Sequence, residues 1–228
     1  GVNTINPLKS ANDDNGHGTH VTGTIAEAAA PTGTPVFAAR TATSYFEASA
    51  TVGGTAYTYP AGQFPVRLRN ALNQEEKKAF DVRFGLVTKL EGPNGLVTSW
   101  DYDGFGRQIR ETRADGTKTE IAYRRCVDFP AVCPSAETPH TLVYYIEKTE
   151  LGPDGAQAGP ITRSFMDQLE RTVLSEAQGF DGVYVRSKTE YDALGRVYRI
   201  SLPHKVGATV YWSTNSAFDT LGRVTQTD

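Results

Sequence analysis

The sequence predicts a mainly β protein, an antiparallel ribbon of β-hairpins with one short helix near its start. Two observations predict the ribbon. A hexapeptide pattern, aromatic-Asp-x-(Leu or Phe)-Gly-Arg, recurs in five copies along the second part of the chain. Between the copies lie short runs of β-formers, bounded by Gly, Pro, Asn and Asp turn signals.

The copies are Phe80-Asp81-Val82-Arg83-Phe84-Gly85, Tyr102-Asp103-Gly104-Phe105-Gly106-Arg107, Phe165-Met166-Asp167-Gln168-Leu169-Glu170-Arg171, Tyr191-Asp192-Ala193-Leu194-Gly195-Arg196 and Phe218-Asp219-Thr220-Leu221-Gly222-Arg223. The first has an extra residue and lacks the Arg. The third carries an inserted Met166, and Glu170 where the others have Gly. The long interval between Asp103 and Asp167 leaves room for a degenerate unit near Pro153-Asp154-Gly155.

The pattern has a mechanical meaning. Asp at the first position and Gly at the fourth suit a type I turn. The Asp carboxylate accepts backbone N–H groups just ahead of it. The Gly takes the left-handed conformation that closes a hairpin with a bulge. The aromatic residue and the Leu are expected to pack on one side, and the Arg to begin the return strand. On this reading Asp103, Gly106, Arg107, Asp192, Gly195, Arg196, Asp219, Gly222 and Arg223 are structural turn residues, not catalytic ones.

Residues 118–123 and 183–191 read as strands, with further turns at Pro93-Asn94-Gly95, Asp115-Gly116, Pro153-Asp154-Gly155 and Asp181-Gly182. Residues 70–80, with Glu75-Glu76-Lys77-Lys78, read as either the one helix of this half or a polar hairpin loop. A β-sandwich with coincidental Asp-x-x-Gly turns is the plainer alternative to a repeat array.

Composition narrows the function. Charged residues are 21% and the formal net charge is −3, which argues against a nucleic-acid clamp. No apolar run approaches the roughly 18 residues of a membrane-spanning helix. Residues 1–64 hold only Lys9, Asp13, Asp14, Glu27, Arg40 and Glu47 as charged side chains, so a boundary is expected near Pro60–Pro65. The expected domains are 1–30, a linker or irregular β stretch at 31–64, and a repeat scaffold at 65–228. With Gly1 at its start and a repeat at its end, the chain reads as a piece of something longer. Any targeting segment would then lie outside it.

Over residues 65–228 the copies resemble YD repeats, found in bacterial Rhs proteins, in the shell-forming B and C components of Tc insecticidal toxins, and in animal teneurins. Gly92-Pro93-Asn94-Gly95-Leu96-Val97-Thr98 followed by Trp100-Asp101-Tyr102-Asp103 is similar to the repeats of such toxins. The resemblance implies a β-ribbon spiralling into a secreted or surface-exposed shell. Its partners would be other repeats of the same or a neighbouring chain, an encapsulated effector, or a cell-surface glycan or receptor. The family's self-cleaving aspartates are not recognisable here.

A second resemblance sits at 13–26. Asp13-Asp14-Asn15-Gly16-His17-Gly18-Thr19-His20-Val21-Thr22-Gly23-Thr24-Ile25-Ala26 resembles the histidine segment of subtilisin-like serine proteases. It implies His17 as general base, with a helix following whose Val21, Thr22, Ile25 and Ala26 face a core. The triad's Asp and Ser contexts are missing from this chain, so enzymatic activity is left open and leans to no. The remaining features are weaker. No cofactor is expected. Cys126 and Cys133 stand in a Cys-x6-Cys spacing with His140 beyond; a disulfide shaped by Pro130 and Pro134, free thiols, or a metal site all remain open, the last lacking ligands. Arg124-Arg125 reads as a solvated strand end. Trp100, Tyr102, Trp212 and Phe218 read as the packed side of hairpins, or as a sugar-stacking face.

Overall fold

The computed structural model describes residues 43–60 and 62–228, and the backbone of two further strands at 23–27 and 36–40. His17 and the rest of 13–22 lie outside the described residues. The chain divides into two compact units, Gly1–Trp100 and Asp101–Asp228.

In the first unit, β1 (Gly23–Glu27) pairs antiparallel with β2 (Val36–Arg40). This corrects the helix expected after the His17 segment. Thr24 and Ile25 are β-branched, stiff at χ1 and better suited to a strand, and a β-rich partner is available at 36–40. A tight hairpin follows, β4 (Ser49–Val52) with β5 (Thr55–Thr58). The remaining strands lie in the order β3 (Thr43–Tyr45), β6 (Arg67–Arg69), β7 (Glu75–Asp81), β8 (Leu86–Glu91) and β9 (Val97–Tyr102).

Residues 70–80 are therefore not a helix. Asn70 folds a turn by accepting N–H groups of Leu72 and Gln74 on its side-chain oxygen. The charged run behind it then extends as a strand because its charges find partners across the ladder: Arg67 bonds Glu75 at 2.9 Å and Lys77 bonds Glu91 at 3.1 Å. The core of this unit joins Tyr59, Phe64 and Val66 across the stretch where composition changes. Phe64 stacks on Phe80 with ring centroids 4.7 Å apart.

In the second unit the strands run as successive antiparallel hairpins: β10 (Gln108–Thr112), β11 (Lys118–Arg125), β12 (Tyr144–Leu151), β13 (Thr162–Met166), β14 (Thr172–Gln178), β15 (Tyr184–Tyr191), β16 (Val197–Ser201), β18 (Trp212–Phe218) and β19 (Val224–Thr227). The two-residue β17 (His204–Lys205) pairs with β15.

The loop between β11 and β12 holds a disulfide, Cys126–Cys133, and a single 3-10 turn at Ser135–Glu137. Its Cys126, Cys133 and Leu142 join Tyr145, Phe165, Val173 and Leu174 in the one buried apolar cluster described in this unit. Register places Arg124, Tyr145, Phe165 and Leu174 on one face, since each is paired with the next across the ladder.

On that same face runs a row of alternating charge. Glu147, Arg163, Glu176 and Arg186 are successive cross-strand partners. Arg163 donates to Glu147 at 2.6 Å and to Glu176 at 2.9 Å, and Arg186 donates to Glu176 at 2.8 Å. The Glu176 side chain is only 1% exposed between its two arginines. From the disulfide loop, Glu137 pairs with Arg186 and with Lys188, fastening the loop onto β15.

Candidate functional site

The repeated turn is the feature the sequence singles out, and its geometry recurs nearly unchanged. At Asp103, Asp167, Asp192 and Asp219 the backbone carbonyl accepts the N–H three residues on, and the backbone N–H donates to the carbonyl four residues on. That is a type I turn followed by a bulge. Register shifts fall at Phe165/Met166, Glu190/Tyr191 and Ala217/Phe218, just before the acid in each hairpin.

Each carboxylate divides its work between its two oxygens. In the Asp192 turn, Oδ1 accepts from the backbone N–H of Leu194 and of Arg196, both at 2.9 Å, while Oδ2 accepts from Arg196 Nε at 2.7 Å. The Asp219 turn repeats this with Leu221 at 2.9 Å and Arg223 at 2.8 and 2.6 Å. The Asp103 turn repeats it with Phe105 at 2.9 Å and Arg107 at 3.0 and 2.7 Å. Nη2 of the same arginine also meets Oδ2 at Asp103, Asp192 and Asp167, at 2.7, 2.7 and 2.6 Å, and Asp167 is the most buried of these acids. In the Asp81 turn, one residue longer, Gly85 donates to Asp81 and the carboxylate is met by Arg83.

These contacts set the acids' ionisation. Burial pushes the Asp167 and Asp192 carboxyls up, but guanidinium and backbone N–H bonds outweigh it and hold both below the ordinary aspartate value. Asp103 is lowered likewise, against burial, by backbone and side-chain bonds from Arg107. For Asp219 the Arg223 backbone bond is the largest cause of the lowering.

The guanidinium held by each acid also reaches forward. Arg171 lies over the Tyr191 ring at 4.3 Å, and Arg196 over the Phe218 ring at 3.9 Å. Both rings are the aromatic residue that opens the next copy. Arg107 lies over Tyr123 at 4.3 Å. The third and fourth copies thus fix an arginine with their own acid and offer it to the copy that follows, and the second offers its arginine to Tyr123 on β11. Spacing in sequence does not reveal this contact, because it depends on strand register; the constant pairing of an aromatic with Asp and Arg is its only linear trace.

The turn Leu behaves otherwise than expected. Phe105, Leu169, Leu194 and Leu221 are 70–84% exposed rather than packed against the aromatic. The third turn position projects away from the sheet, so only the ring before the acid is covered. At the fourth position Gly195 and Gly222 have φ of 79° and 77°. Glu170 occupies the same left-handed conformation with φ of 59°.

Cys126 and Cys133 are joined to each other, and His140 packs edge-on against Tyr191. Among the described residues no group of three or more His, Cys, Asp or Glu side chains is placed to hold a metal. No helix among them is long and apolar enough to cross a membrane. Trp212 carries Arg199 over its ring at 4.2 Å, and the Phe218 ring lies under Arg196.

The fold and turn define a β-hairpin repeat protein. Residues 81–118 match the family model RHS Repeat, so the chain carries an RHS-type, or YD, repeat. No curated protein matches it. Among solved structures it is similar to the Tc holotoxin pore of Photorhabdus luminescens, at 16% identity over 78% of this chain and 10% of that one, with a TM-score of 0.34. The chain spans about a tenth of that protein's length.

Proposed function

We propose that the chain is a secreted or surface-exposed structural scaffold, part of an Rhs/Tc-type shell that encloses or displays a toxin or adhesive partner. The arginines that pass from the Asp167 and Asp192 turns to the ring of the next copy carry this reading. They bind neighbouring hairpins into a stiff ribbon, as expected of an array whose units cannot bury their faces alone. The repeat scaffold is taken as 65–228, with 1–30 and 31–64 before it, the latter fastened to it by the β3–β6 pairing and the Tyr59, Phe64 and Val66 core. Asp103, Asp192 and Asp219, with their Gly and Arg partners, act as turn formers. The disulfide supports an oxidising compartment. The row of exposed Phe105, Leu169, Leu194 and Leu221 supports contact with further repeats or an enclosed partner.

The test uses the natural full-length protein. Electron microscopy should show a closed hollow particle, and limited proteolysis should spare whatever segment lies inside it. An open, fully digestible chain would defeat the shell. A serine-reactive fluorophosphonate probe should leave the protein unlabelled; labelling would favour a peptidase using His17.

A further inference from the structure

Residues 126–143, between β11 and β12, fold back over one face of the sheet instead of closing in a tight turn. Cys126, Cys133 and Leu142 enter the buried cluster with Tyr145, Phe165, Val173 and Leu174, and Val132 packs against it. Phe129 stands edge-on to Tyr145 at 6.4 Å, and His140 edge-on to Tyr191 at 5.9 Å. The segment therefore lies as a strap from β12 to β15.

Two fasteners hold the strap at different points along it. One is the disulfide, whose cysteines are 8% and 7% exposed. The other is Glu137, paired with Arg186 and, at 3.3 Å, with Lys188. Arg186 keeps Glu176 as a second partner, so the charge row on the sheet survives without Glu137. The strands do not need the strap either: β11 pairs with β12 along its length, Lys118 with Leu151 at one end and Arg125 with Tyr144 at the other. One group opposes closure. His140 Nε2 is buried with no hydrogen-bond partner among the described residues, and it regains water when the strap lifts.

From this arrangement we propose that the strap is a redox-released cover: reduction of the Cys126–Cys133 bond by a dithiol frees residues 126–143 and bares Tyr145, Phe165, Val173 and Leu174, while the strands stay paired. A thiolate of the dithiol attacks one cysteine sulfur, forming a mixed disulfide and expelling the other cysteine as a thiolate. The reagent's second thiolate attacks its own sulfur in that bond and expels the first cysteine. Two electrons pass to the protein, the reagent becomes a disulfide, and Cys126 and Cys133 take up protons. Loss of the cross-link returns conformational freedom to the lifted strap and raises its population, on the order of ten- to hundred-fold. Because the cysteines are buried, attack waits on a transient lifting that the Glu137 clasp opposes. Glu137 thereby gates the reduction. The device is independent of the shell reading.

The test treats the natural full-length protein with excess dithiothreitol and follows alkylation of Cys126 and Cys133 individually by mass spectrometry. After removal of the reagent, thermolysin should cut within residues 126–143 at least about ten-fold faster than in the oxidised protein, with the strand signal in circular dichroism unchanged. The Cys126→Ala/Cys133→Ala variant, which carries no alkyl group, should be cut as fast without reductant. Glu137→Ala should be reduced at least about ten-fold faster than wild type, the value of one charged hydrogen bond. Equal protection of the strap with and without the cross-link, reduction of Glu137→Ala at the wild-type rate, or loss of the strand signal on reduction would each overturn the proposal.

Discussion

Replacing Asp167 by Ala removes four hydrogen bonds at once: the N–H groups of Leu169 and Arg171 at 2.9 and 3.0 Å, and two guanidinium bonds at 2.8 and 2.6 Å. Each hydrogen bond to a charged group contributes roughly 1.5–3 kcal/mol when fully desolvated. Leu169 stands in solvent, so its freed N–H rehydrates, and Arg171 keeps its place over Tyr191. The loss is then about 3 kcal/mol rather than the sum of four bonds. Asp167→Asn retains the backbone acceptor and loses the charge, and should cost about 1–1.5 kcal/mol. At roughly 2–4 °C per kcal/mol for a chain of this size, the Ala variant should melt about 6–12 °C lower. Urea unfolding followed by tryptophan fluorescence and circular dichroism measures both. An Ala variant within about 0.5 kcal/mol of wild type, the range of ordinary surface substitutions, would show that the carboxylate is not architectural.

Three other perturbations probe the same framework. Because Asp103, Asp167, Asp192 and Asp219 have lowered pKa values when folded, their stabilisation is complete above the unfolded aspartate value of about 3.9 and is lost as pH falls through the folded values. The urea midpoint should therefore stay level from neutral pH to about 5 and drop below about 4; a midpoint that rises on acidification contradicts the sign. Gly195→Val has room, the nearest atom to an added Cβ being Arg171 Nη1 at 3.8 Å, so its cost of about 2 kcal/mol is conformational and appears as a lower melting temperature. Glu176→Ala leaves Arg163 and Arg186 facing one another across a buried gap and should cost about 3 kcal/mol in the same unfolding assay, and a leucine there should not rescue it, because both guanidinium groups still lose their shared carboxylate.

The antiparallel hairpin architecture was legible because strands and turns are local. Val183-Tyr184-Val185 and the Asp-Gly pair before it declare themselves without distant help. Contacts set by register were not legible. Glu75-Glu76-Lys77-Lys78 suits a helix or a polar hairpin loop equally, and extends as a strand only once Arg67 and Glu91 are placed beside it. Nothing in the sequence marks Glu176 for burial, which comes only from its neighbours on β13 and β15. The turn leucines look like core residues, yet the turn's own geometry aims them outward. Likewise, the segment after His17 suggested a helix by resemblance, and its β-branched residues took a strand partner instead.

A double-mutant cycle between Arg196 and Phe218 tests most directly whether one repeat grips the next. The single variants Arg196→Met and Phe218→Leu, together with the double variant, would be unfolded in urea. With the guanidinium 3.9 Å above the ring, a coupling energy of about 0.5–2 kcal/mol is predicted. Strict additivity of the two substitutions would contradict it, leaving the hairpins as neighbours without a latch.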